Sequence, residues 1–96
     1  MAAYLIVRAD VTQWDKFREY LQVTPSIIEQ YGGKYIARGG EMITFEGPEE
    51  TRRVVIIEFP SLEKIQEFYH SVEYRKARKI RHNAAIGEMI AIDGVK

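Results

Sequence analysis

Seven consecutive residues, Arg53-Val54-Val55-Ile56-Ile57-Glu58-Phe59, set the tightest limit on how this chain can fold. Five of them are large and apolar, and they occupy both sets of alternating positions. Val55, Ile57 and Phe59 fall on one side, Val54 and Ile56 on the other, where Glu58 follows them. A strand with one wet face alternates apolar with polar, whereas a run like this one is covered on both sides. A chain of 96 residues has room for one core and enough helix to cover one face of a sheet. The second cover is expected from another copy of the chain.

Around that run the remaining elements follow in order. Tyr4 to Val11 alternates, with Leu5, Val7, Ala9 and Val11 on one side and Tyr4, Ile6, Arg8 and Asp10 on the other, as a strand does. Thr12 is the expected N-cap of a helix, with Asp15 completing a variant capping box. Trp14, Phe17, Leu21 and Ile28 recur at helical spacing and read as core. Pro25 divides this helix into two parts, with Thr24 capping the second, and Gly32-Gly33 ends it. Lys34 to Arg38 is a second strand, followed by a bend at Gly39-Gly40, an extended stretch from Glu41 to Glu46 and a turn at Gly47-Pro48. After the central strand, Ser61 caps a helix carrying Leu62, Ile65, Phe68 and Tyr69, and Ser71 starts another with Val72, Ala77 and Ile80. Ala85 to Asp93 is the last strand.

The order is βαββαβ, which predicts an α+β, ferredoxin-like domain spanning residues 1–96: a four-stranded antiparallel sheet with its helices on one face. Right-handed crossovers put strands one and three in the middle. The uncovered face then carries Ile6, Val54, Ile56, Ile90 and Ile92, a patch large enough to mark an interaction surface.

Function classes are narrowed mainly by what is missing. Lys+Arg and Asp+Glu number 14 each, so no global field draws the chain to nucleic acid or to an anionic membrane. The basic run Arg75, Lys76, Arg78, Lys79 and Arg81 has no interleaved aromatics and reads as a solvated helix face. No cysteine is present, which excludes thiolate chemistry and disulfides. His70 and His82 lack metal-ligand spacing, so neither a metal nor any other cofactor is expected. The glycine pairs lack the Gly-Lys-Ser/Thr of a phosphate loop, and no nucleophile motif occurs. With a strand starting at Tyr4 and no long apolar run, a cytoplasmic protein is expected.

Several strings are similar to those of a known family. Tyr31-Gly32-Gly33-Lys34-Tyr35-Ile36-Ala37-Arg38-Gly39-Gly40, Glu46-Gly47, Ile57-Glu58-Phe59-Pro60-Ser61, Phe68-Tyr69-His70-Ser71-Val72-Glu73-Tyr74, Ile80-Arg81 and Asp93-Gly94-Val95 together resemble the DUF1330 family over essentially the whole chain. Phe68 departs from it, since the family often has Trp there. The resemblance implies a homodimeric α/β barrel, in a superfamily that also holds cofactor-free monooxygenases, muconolactone isomerase-like enzymes and haem enzymes. It implies no particular activity.

Two constellations are candidates for chemistry. Strands one and three are read as parallel, which brings Arg8 and Glu58 to one end of the uncovered face, with Glu88 and Lys34 nearby. That group is either a site, with Arg8 binding an anion and Glu58 moving a proton, or a structural ion-pair network. The second set, emphasised by the resemblance, is Arg38, Glu58, Tyr69, Tyr74 and Arg81. Between helix and sheet these would suit a small oxygenated or aromatic acid; otherwise they are core tyrosines and tethering arginines. The functional expectation is a homodimer that binds a small organic molecule, as a cofactor-independent monooxygenase or isomerase with Glu58 as acid/base and Arg38 or Arg81 as anion binder. The alternative is a non-catalytic binding or assembly module.

Overall fold

A computed structural model describes residues 2–96. The elements are β1 (Ala3–Val11), α1 (Trp14–Gln30), β2 (Lys34–Arg38), β3 (Arg53–Phe59), α2 (Leu62–His70), α3 (Val72–Ile80) and β4 (Ala85–Asp93). They form one sheet in the order β2-β3-β1-β4, antiparallel at each junction. The helices lie on one face, over a core that includes Leu5, Phe17, Ile28, Ile57, Phe59, Ile65, Phe68 and Tyr74. This is the ferredoxin-like α+β arrangement.

The expected parallel pairing of strands one and three is wrong. β1 and β3 are antiparallel, with Tyr4 opposite Glu58 and Arg8 opposite Val54. Topology requires it: the α1 crossover makes β2 parallel to β1, and the reversal into β3 then turns the chain back. Arg8 is level with Glu88 on β4, as expected, but Glu58 stands at the other end of the sheet.

The helices differ from the reading in three details. Gln13, not Thr12, is the N-cap of α1, and it makes no side-chain cap; its amide instead donates to the Asn83 carbonyl across the fold. Pro25 is carried inside one continuous helix. Beside it, the buried Thr24 hydroxyl donates to the Tyr20 carbonyl at 2.7 Å, tying down the turn that the imino residue weakens. Trp14 is 47% exposed and not core; the buried stripe is Phe17, Tyr20, Thr24 and Ile28. The helix ends as expected: Gly32, at φ +81°, donates to Glu29 O, and Gly33 N–H donates to Ile28 O. Ser61 and Ser71 cap α2 and α3 by accepting from Lys64 and Tyr74 N–H.

Glu41 to Glu46 does not prolong the sheet. A register shift between Tyr35 and Ala37, then Gly39 at φ +65°, lead the chain off the edge, and residues 39–49 are exposed. The uncovered face of the sheet is apolar as predicted, with Ile90 55% and Ile92 54% exposed, and Ile86, at 74%, adds to it.

Candidate functional site

The uncovered face holds a charged cluster at one end. Arg8 pairs with Glu50 at 3.3 Å, Arg52 chelates the same carboxylate, and Arg52 also donates to Glu88. The hydrogen bond from the Arg52 side chain, then that from its backbone N–H, hold the Glu50 carboxyl down at about 2. This cluster fastens the end of the loop before β3 onto β1 and β4. Glu58 belongs to a separate pair at the opposite end, with Lys34 at 3.6 Å. Arg8 and Glu58 therefore do not share a site. Of the group expected there, Arg8 and Glu88 join one network and Lys34 and Glu58 another.

The other face carries a partly open pocket of about 540 Å³ between sheet and helices. Leu5, Val7, Val55 and Ile57 supply the sheet side of its apolar wall, and Phe17, Leu21 and Ile65 the helix side. Strand parity decides which side chains reach it. Residues 53, 55 and 57 alternate onto the helix face, as do 85, 87, 89 and 91 opposite them across β1.

Polar groups enter this apolar space at a few places. Tyr20 and Tyr74 are both buried, and their hydroxyl oxygens are 2.6 Å apart. Burial, reinforced by the neighbouring Tyr74, pushes the Tyr20 hydroxyl far above its usual pKa, so it stays protonated. The guanidinium of Arg81 lies 5.4 Å from the Tyr20 ring centroid. Burial works against its charge, but the adjoining Tyr74 and Tyr20 outweigh this and raise its pKa. Arg78 sits over the Tyr69 ring at 4.2 Å and donates to the Tyr69 hydroxyl at 2.9 Å. Arg38 stacks on Tyr35 at 4.4 Å.

Four of the expected residues, Arg38, Tyr69, Tyr74 and Arg81, line this one cavity. Glu58 and Arg8 do not, because their positions alternate onto the opposite face. The sequence reading missed Tyr20 and Arg53; His70 is an exposed helix residue, as expected, and also borders the lining. Signals for the first two were present. Tyr20 follows Phe17 by three residues and precedes Thr24 by four, and Arg53 shares the parity of Val55 and Ile57. Among the described residues, no group of three or more His, Asp or Glu side chains is placed to hold a metal. No helix among them is long and apolar enough to cross a membrane.

Solved structures share this architecture. A protein of unknown function from Rhodopseudomonas palustris is 23% identical, with a TM-score of 0.79, over 99% of this chain and 83% of its own. SnoaB, a cofactor-independent oxygenase from Streptomyces nogalater, is 9% identical, with a TM-score of 0.69 over 99% and 94%. A Mycobacterium tuberculosis protein is 13% identical, with a TM-score of 0.66 over 100% and 97%. At such identities the likeness is one of fold. Among curated proteins, none matches the chain. Residues 2–95 match the family described as "Domain of unknown function (DUF1330)", and the chain belongs to that family.

Proposed function

We propose that this protein binds a small organic molecule in the cavity between sheet and helices, and that it works as a homodimer paired through its uncovered sheet faces. The observation that carries the binding proposal is the cavity: about 540 Å³, within the roughly 300–1,000 Å³ usual for ligand sites, apolar-walled with a few convergent polar groups. Arg38, Tyr69, Tyr74 and Arg81 are its ligand-facing polar residues in this reading. Glu58 has no part in it.

The chemistry in best keeping with such a site is that of a cofactor-independent monooxygenase or an isomerase. An apolar-walled pocket with positioned hydroxyl and guanidinium donors suits the stabilisation of the anionic intermediates such reactions pass through. The fold likeness to SnoaB supports this direction. A second reading, a binding module without catalysis, is favoured by the pairing of Arg8, Glu50, Arg52, Glu88, Lys34 and Glu58 among themselves, which gives these charges a structural role.

Calorimetric titration with 2-naphthol and related one- and two-ring compounds tests the site. Ala91 is exposed within the cavity, so Ala91→Trp should fill it without disturbing the core, and it should abolish binding while thermal stability stays unchanged. Binding that survives Ala91→Trp moves the site elsewhere. Oxygen uptake or product formation from a bound compound supports the enzyme, and binding with no turnover supports the module.

A further inference from the structure

The charges around the cavity do not balance. Three arginines, Arg38, Arg53 and Arg81, line it, and none of them is in a salt bridge among the described residues. Among the described residues the one acidic residue in the lining is Glu88, and its position alternates onto the uncovered face, where Arg52 engages its carboxylate. The arginines also share one end of the sheet. Arg53 is opposite Ala9, Arg38 opposite Val55, and Arg81 immediately precedes the turn whose Ala84 carbonyl accepts from Thr12 at the end of β1.

Hydrogen-bond accounting points the same way. The Nε of Arg81 is buried without a partner among the described residues. A guanidinium has donors and no acceptor, so only an acceptor can satisfy it. The Tyr20–Tyr74 pair adds to the excess, because two hydroxyls carry two protons and their mutual bond at 2.6 Å uses one. The second proton has no acceptor in the side-chain hydrogen bonds found among the described residues. This end of an otherwise apolar space therefore offers a cation and a spare phenolic donor, and both remain costly until an acceptor arrives.

We infer that the cavity selects an organic anion: a carboxylate, or an ionised enol or phenol, on an apolar ring body. Its charge sits against Arg81 and the Tyr20–Tyr74 hydroxyl pair, with Arg53 and Arg38 closing the same end. This rests on the binding site proposed above, and it adds Tyr20 and Arg53 as specificity residues.

The test uses the folded wild-type protein with two probes of one shape, 2-naphthoate and 2-naphthamide, titrated at neutral pH. Naphthoate should bind at least tenfold tighter than the neutral amide. Arg81→Met should remove that preference by weakening naphthoate at least tenfold while changing naphthamide less than threefold. Arg53→Gln, at a half-exposed position, gives a second reading and should narrow the preference severalfold; Tyr20→Phe should do likewise. Equal affinity for the two probes in the wild type overturns the inference, as does a preference that persists in both arginine variants. Binding of 2-naphthol that Ala91→Trp abolishes, with no binding of either probe, overturns the anion inference alone. No binding of any compound overturns the small-molecule site as well.

Discussion

Tyr20 and Tyr74 show how much one hydroxyl contact can matter in a core. Both rings are buried, Tyr74 stacks against Phe68 with centroids 4.3 Å apart, and their hydroxyls meet at 2.6 Å. Tyr20→Phe removes one partner and leaves the other hydroxyl under-satisfied, which should cost about 1–3 kcal/mol in urea unfolding. The double variant Tyr20→Phe/Tyr74→Phe should recover part of that loss; a purely additive second loss would show that the pair is not coupled. Gly33 makes a different point. A Cβ there would lie 2.7 Å from Ile28 Cγ2 and 2.8 Å from the Phe59 ring. Gly33→Ala should therefore destabilise by about 1–3 kcal/mol through overpacking, read as a lower urea midpoint at unchanged slope.

Ser71 joins two helices with one side chain. It ends α2 by donating to the Phe68 carbonyl at 2.7 Å and starts α3 by accepting from Tyr74 N–H at 3.1 Å. Because Tyr69 lies just before it and Tyr74 just after it, the break in direction is what aims both at the cavity. Ser71→Ala should cost about 1–2 kcal/mol, and ligand affinity should fall along with stability. The loop ahead of β3 depends on charge in the same local way. Glu50 titrates near 4.5 in an unfolded chain and at about 2 in the folded protein. The folded state thus holds fewer protons between those values, and the contribution of Glu50 is complete above pH 4.5 and lost as pH falls towards 2. The stability gap between wild type and Glu50→Gln should therefore narrow as pH is lowered from neutral to 2.5. A gap that stays constant would mean that Arg52 and Arg8 do not hold this loop by charge.

The molecule is a slab of 33 × 31 × 16 Å, one layer of helices on one sheet. One broad side of that slab is the sheet's bare face, where Ile6, Val54 and Ile56 are only partly covered and Ile86, Ile90 and Ile92 are exposed. Pairing through this face predicts that Ile90→Lys shifts the protein from dimer to monomer in sedimentation equilibrium without changing its circular dichroism. A wild type that sediments as a monomer at high concentration would remove the basis for the dimer.

Strand and helix positions were legible because each is a local pattern. Alternation marks β1, a continuous β-branched run marks β3, serine caps mark α2 and α3, and Gly32-Gly33 stops α1. The pocket residues Arg38, Tyr69, Tyr74 and Arg81 could be named as a set from family-like strings, yet nothing local says that they meet. What brings residues together is strand direction and parity, which are properties of the assembled sheet. Reading β1 and β3 as parallel set Glu58 beside Arg8; the antiparallel register separates them and gives Glu58 to Lys34. The same register turns Arg53 inward and brings its end of the sheet beside Tyr20, Tyr74 and Arg81, whose sequence separations carry no hint of that proximity. Local preference decides each segment, while the closing of the layers decides which charges are left without partners.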